Sequence, residues 1–361
     1  MLAILGLIAG VVLAIIWRPD MPIWLQPYLP IMIVAALDAL VGAARAGLEH
    51  TFSDKVFAVS FISNVAIAAL IVWIGDLIGV GSQLSTAVLV VLAFLRSVIM
   101  RLRWDATLHH QLEHLRMVFM PVVNPGGLAR GTRANPVGVD LMRNAPLDAR
   151  DPVPFLLGGQ RLSPWLPWYR GRQGEPMQPE SQALCQVVEG ELLSHDFSIA
   201  VDCHSGFGTS DRIWFPYAST RLPIAHLPEM HALAEILDQT HLHHPYVFEP
   251  QSSQYLTHGD LWDYLYQRAC LEPACIHLPL TLEMGSWLWV KKNPRQMLSL
   301  LGFFNPLIAH RHARVLRRHI QWLEFIGRAA CGHLGWVPTG PERARHRELA
   351  LRRWYDSGGF A

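Results

Sequence analysis

The stretch VDCHSGFG, Val201–Gly208, sets Asp202 and His204 two residues apart in a strand-like run that ends in glycine. Period-two alternation puts both side chains on one face, at an end where a ligand can approach the backbone. That is how a metal-binding or catalytic histidine is presented. A second apolar run, LTLEMG, carries Glu283 at its end, where a carboxylate is costly unless it is paired or functional. Between them QYLTHGDLWDYLYQ offers Tyr255 on a polar loop ahead of an amphipathic helix. Upstream, PVVNPGGLARGTRANPVGVDLMRN strings Arg130, Arg133 and Arg143 among glycine, proline and asparagine. Neither helical nor strand periodicity is present there, which predicts an irregular loop. Singly these are weak signals.

Elements of two periods have to hold these groups. FSIAVDCH and ACIHLPLTLEMG read as strands, as does RMVFMPVV directly before the arginine loop, while TLHHQLEHL and ESQALCQVVEGELLSH have helical spacing. Helices alternating with strands predict an α/β domain whose mixed sheet is covered by helices. Residues 144–180 are rich in proline, glycine and tryptophan with no element of their own, a length of loop that is usually functional or disordered. LIAHRHARVLRRHIQWLEFIGRAA reads as a basic amphipathic helix with a solvated face, followed by a charged tail over residues 331–361.

The chain has 361 residues, 51% of them hydrophobic, and 30 basic against 29 acidic side chains, a balance that leaves no nucleic-acid footprint. The average conceals a division. Residues 1–95 are nearly uncharged and contain the apolar runs Leu2–Trp17, Ile31–Ala44, Val56–Gly81 and Ser85–Leu95, which predict an all-α transmembrane module in contact with a lipid bilayer. Four crossings would put Arg45, Lys55, Arg101 and Arg103 on one side and Arg18 on the other, placing the following domain, residues 96–330, in the cytoplasm. Five cysteines without CxxC spacing suit a reducing compartment and suggest neither a disulfide framework nor a structural zinc site.

Taken in order, VVNPGG, RGTRANPVGVDLMRN, DCHSG, YLTHGDLWDY and LTLEMG resemble the zinc carboxypeptidase family from about Val88 to Ile326. Tyr255 and Asp263 keep the family's separation of eight. The resemblance implies a peptide or amide hydrolase with zinc as cofactor. It implies His204 as one metal ligand, Glu283 as the base that takes a proton from water, and Arg133 as the group polarising the scissile carbonyl. It also implies that Arg143 binds a substrate carboxylate and that Tyr255 closes over the substrate; Arg130 has no counterpart. Asp202 is read as support for His204.

Three departures stand out. Met142 replaces an asparagine that helps bind the terminal carboxylate, and Gly126 replaces an aspartate. The HxxE segment that supplies the other two zinc ligands is missing from the expected place, Gly79–Ala87, although HQLE, His110–Glu113, fits its spacing. Separately, LPIMIVAALDALVGAARAGLEHTFSDKVFAVSFISN resembles the small basic protein family of bacterial membrane proteins over residues 1–95. The chain thus looks joined from two families at residues 88–96. Together these features predict a membrane-anchored, zinc-dependent metallocarboxypeptidase-like hydrolase with impaired metal binding. The alternatives are a membrane protein carrying a catalytically dead binding domain, and an amidohydrolase acting on an N-acyl amino acid.

Overall fold

Two nine-residue runs of alternating character build the centre of the fold. β1 (Phe197–Ser205) and β4 (Ile276–Met284) pair in parallel. β2 (Arg212–Phe215) runs antiparallel to β4, and β3 (Val247–Pro250) runs parallel to β2, giving the order β1-β4-β2-β3. The computed structural model describes residues 85–356 apart from 207, 273–274, 295–301 and 303, with isolated residues 53, 57 and 59. By contacts the chain divides into Met1–Gly81 and Ser82–Ala361, and the sheet belongs to the second unit.

Alternation sorts the sheet into two faces. Leu278, Leu280, Leu282 and Met284 of β4, with Phe197, Ile199, Val201 and Cys203 of β1, enter the larger core. This core is closed by α1 (Thr86–Arg101), α5 (Leu227–Thr240), α8 (Ala309–Cys331) and α9 (Gly340–Trp354). Ala200 faces the other way into a smaller core formed with α4 (Pro179–Glu191) and α6 (Leu261–Ala269). The intervening positions Asp202, His204 and Glu283 therefore fall on the second face. The remaining helices are α2 (Ala106–His114), α3 (Pro125–Arg130) and α7 (Trp287–Lys292).

The mixed α/β architecture is the one the motifs implied, with three local differences. Ser85–Leu95, taken for the fourth apolar membrane segment, lies in α1 and its Ser85 cap; Val90, Phe94 and Val98 are buried in the larger core. An apolar run alone does not say whether lipid or protein covers it, and the expected boundary at residue 95 falls inside this helix. The four-crossing orientation thereby loses one segment. The other three apolar runs lie outside the described residues, apart from the isolated positions 57 and 59. Among the described residues no helix is long and apolar enough to cross a membrane.

RMVFMPVV forms no strand. Met117 and Phe119 pack on the larger core and Met120 and Val123 on the smaller, so the alternation is used for burial without a ladder. Residues 331–356 are more than a charged tail, because α9 packs on α5 and β3: Arg343 Nε donates to Glu229 Oε1 of α5 at 2.7 Å and Trp354 Nε1 to Phe248 O of β3 at 2.7 Å. Its charges masked three buried positions, His346, Ala350 and Trp354. The basic helix α8 buries Val315, Trp322, Phe325 and Ile326 and keeps Arg314, Arg317 and Arg328 exposed, while Arg318 pairs with the buried Asp211.

Candidate functional site

His204 on β1 stands opposite Glu283 on β4 in the parallel register, so both side chains rise from the same face and the same end of the sheet. His204 Nδ1 lies 3.9 Å from Glu283 Oε2. On its other side Nε2 meets Asp202 Oδ2 at 2.8 Å, and Trp262 Nε1 donates to that same oxygen at 2.9 Å. The first turn of α6 thus steadies the carboxylate that orients the imidazole. Trp262 was missed in the sequence. Its only signal is its place two residues after Asp260, which caps α6 by accepting from Trp262 N and Asp263 N.

Charge follows from this geometry. Burial disfavours an imidazolium at His204, but the Asp202 carboxylate against Nε2 and Glu283 beyond Nδ1 outweigh it, and its pKa is raised above the usual histidine value. Burial likewise opposes ionisation of Asp202, yet the His204 charge and the hydrogen bonds from His204 and Trp262 hold its pKa low.

The arginine stretch is more ordered than its composition suggests. Asn124 Oδ1 accepts from Gly127 N at 2.8 Å and Pro125 takes the first helical position, so α3 begins there. Six residues are too few for a helical period to show. Farther on, Asp140 Oδ1 accepts from Met142 N at 3.1 Å, capping a 3-10 turn over Leu141–Arg143, while Oδ2 takes Arg133 Nε at 2.7 Å. One buried carboxylate therefore positions both arginines, a role the sequence reading did not assign. Burial would raise the Asp140 pKa, but the charges of Arg133 and Arg143 pull it below the usual carboxylate value. Of Gly126, Gly127 and Gly138, only the last has a positive φ, +88°. The first two are small for packing: a Cβ there would stand 2.3 Å from Pro136 and 2.2 Å from Asn124.

Arg143 is 3% exposed, with Nε 3.3 Å from Leu157 O. Its guanidinium lies against the half-buried Tyr255, whose phenol is pushed to a higher pKa by burial and secondarily by Glu283, against the pull of Arg143 and Arg133. Arg133, half-exposed, senses the charges of Tyr255 and Glu283 after that of Asp140. The structure therefore brings together His204, Glu283, Arg133, Arg143 and Tyr255. Arg130 stays outside the group, donating to Pro136 O at 2.8 Å. Met142 turns its thioether into the smaller core. Asp263 is structural: its carboxylate accepts from Ala218 N and Ser219 N, and burial together with Asp260 raises its pKa to about 7.

Catalytic zinc needs three protein ligands and an open position. His204 offers Nδ1, but among the described residues no three histidine, cysteine or carboxylate side chains converge around it. His110 and Glu113 of HQLE lie on the exposed face of α2 and group with His114, not with His204. These residues do not fit a tightly held zinc at the sheet end.

Residues 85–286 match the family described as zinc carboxypeptidase, and residues 21–99 match a family described as a protein of unknown function. The two overlap on α1. The thrombin-activatable fibrinolysis inhibitor structure is 20% identical, covers 67% of this chain and 58% of its own, and has a TM-score of 0.48. The chain thus spans little more than half the length of that protein. The bovine protein in complex with tick carboxypeptidase inhibitor is 19% identical, covering 64% of this chain and 78% of its own, with a TM-score of 0.41. At the other end, an uncharacterized protein of Mycobacterium tuberculosis is 56% identical over 92 residues, 26% of this chain and 76% of that protein. The small basic protein of Bacillus subtilis is 32% identical over 84 residues, 23% of this chain and 69% of its own.

Proposed function

Because the chain belongs to the zinc carboxypeptidase family, we propose that its α/β domain is a carboxylate-recognising, peptide-binding form of that scaffold, held at a membrane by residues 1–81, with an incomplete hydrolytic centre. The observation that carries this reading is the grouping of Arg133, Arg143 and Tyr255 beside Glu283, set against a single convergent imidazole among the described residues. Arg143 meets a ligand carboxylate from a desolvated position, where a charge-assisted hydrogen bond contributes about 1.5–3 kcal/mol. Arg133, steadied by Asp140, lies where positive charge polarises the adjacent carbonyl. Tyr255 supplies a neutral hydroxyl donor at neutral pH. The Asp202 carboxylate against His204 Nε2, with Glu283 beyond Nδ1, favours the protonated imidazole.

The test is calorimetric binding of blocked dipeptides and N-acyl amino acids, each with a free and an amidated C-terminus, to the full chain in detergent, alongside zinc analysis and hydrolysis. The expected result is preference for free carboxylates, no zinc dependent on His204 and no turnover. Tightly held zinc with hydrolysis abolished by both His204→Ala and Glu283→Gln would overturn it. Equal affinity for free and amidated ligands would remove the carboxylate role.

A further inference from the structure

A second donor cluster lies away from this site. α2 is anchored by Leu108, which is 2% exposed, and by the partly buried Leu112 against the larger core. Asp105 caps its start by accepting from Thr107 N and Leu108 N. With that face fixed, His110, Glu113 and His114 fall at i, i+3 and i+4 on the opposite, solvent-facing side, where helical geometry makes them neighbours. Their ligand-capable atoms all lie within 4.8 Å of one another.

The details suit a metal ion. His110 Nδ1 and Glu113 Oε2 are 3.1 Å apart. Two ligands of one tetrahedral ion, each bonded at about 2.1 Å, keep a separation of roughly 3.4 Å. The His110 and His114 rings meet edge to face with centroids 5.3 Å apart, so small rotations bring a nitrogen of each to the same point. Side-chain exposures of 74% for His110 and 67% for Glu113 leave the site open to an ion from solvent. His114 lies in the last turn, where the helix dipole favours added positive charge. Neighbouring groups are otherwise engaged: His109 Nε2 is bound to Leu102 O at 2.7 Å and Arg116 pairs with Glu191 at 2.5 Å.

We propose that His110, Glu113 and His114 form a surface site for a borderline divalent transition-metal ion, zinc above all. Two imidazoles and a carboxylate are the donor set that such ions prefer over magnesium or calcium, and three protein ligands leave a position for water. The site is separate from the His204 end of the sheet and does not depend on the function proposed above. Zinc recovered with the protein would sit here, and being surface-held it is removed by a moderate chelator.

The experiment is titration of the chelator-stripped full chain with Zn2+ alone, with Mg2+ as the hard-cation control. One zinc site per chain is expected, undiminished in His204→Ala and at least tenfold weaker in His110→Ala and in His114→Ala. Glu113→Gln should weaken it severalfold, and Mg2+ should give no heat. Circular dichroism checks that α2 survives each exposed substitution. Absence of zinc binding, wild-type affinity in the His110→Ala/His114→Ala double variant, or loss of binding in His204→Ala would each overturn the proposal.

Discussion

Replacing Gly259 with alanine should disrupt the ligand site through the backbone alone. Gly259 has φ +64°, and a Cβ there would stand 2.0 Å from the Arg143 carbonyl oxygen and 2.6 Å from its carbon. The conformation itself costs an L-residue about 1–2 kcal/mol. The collision is with main chain, so the two segments must part by more than 1 Å on the order of ordinary carbon–oxygen contact. That movement breaks or stretches Ala145 N to Gly259 O at 3.0 Å, Gly259 N to Leu147 O at 2.6 Å and Arg170 Nε to Arg143 O at 3.3 Å. At about 1 kcal/mol for each of two such bonds lost, the total destabilisation is about 3–4 kcal/mol. Gly174→Ala is the control, since Gly174 has φ +82° with nothing within 4 Å of a new Cβ; it should lose only the conformational part, about 1–2 kcal/mol. Urea unfolding of the full chain followed by tryptophan fluorescence measures both, and calorimetry measures ligand binding under conditions where Gly259→Ala is still folded. Equal destabilisation of the two variants, or unimpaired carboxylate binding by Gly259→Ala, would refute the reasoning that this glycine sets the position of Arg143.

Arg143→Ala is expected to weaken carboxylate-bearing ligands about tenfold or more, whereas Arg133→Ala, which acts on the carbonyl, should weaken free and amidated ligands alike and by less; equal effects of the two variants on the preference for free carboxylates would remove the division of roles. Asp140 has a folded pKa depressed below its ordinary 3.8, so its contribution is present above that pH and is lost as pH falls through the depressed value. Asp140→Asn should therefore be less stable at neutral pH and lose less stability on acidification below about pH 4; parallel unfolding profiles would contradict this. We further propose that the protein fractionates with membranes, resists carbonate extraction and exposes its α/β domain to the cytoplasm, where its five free cysteines stay reduced. Recovery in the detergent-free soluble fraction, or digestion of the domain by protease added outside intact cells, would count against these two placements respectively.

Short-range chemistry was legible in the sequence. Period-two runs specified β1 and β4, amphipathic spacing specified α4 and α8, and five motifs in order pointed to the family and to His204, Glu283, Arg133, Arg143 and Tyr255 before any of them had a position in space. Tertiary structure decided what depends on partners. Strand RMVFMPVV failed because alternation fits a half-buried extended segment whether or not a neighbour takes its hydrogen bonds. The run Ser85–Leu95 was given to lipid and α9 to solvent because apolarity and charge count do not name the covering surface; the sheet covers the first and α5 the second. Asp140 and Trp262 were invisible as site residues because their importance lies in atoms 7 and 60 residues away in sequence, Arg133 Nε and Asp202 Oδ2. The donor set around a metal is likewise a property of convergence: HQLE has the spacing of a ligand pair in the chain, but only the packing of α2 through Leu108 turns it to solvent, beside His114 and away from His204.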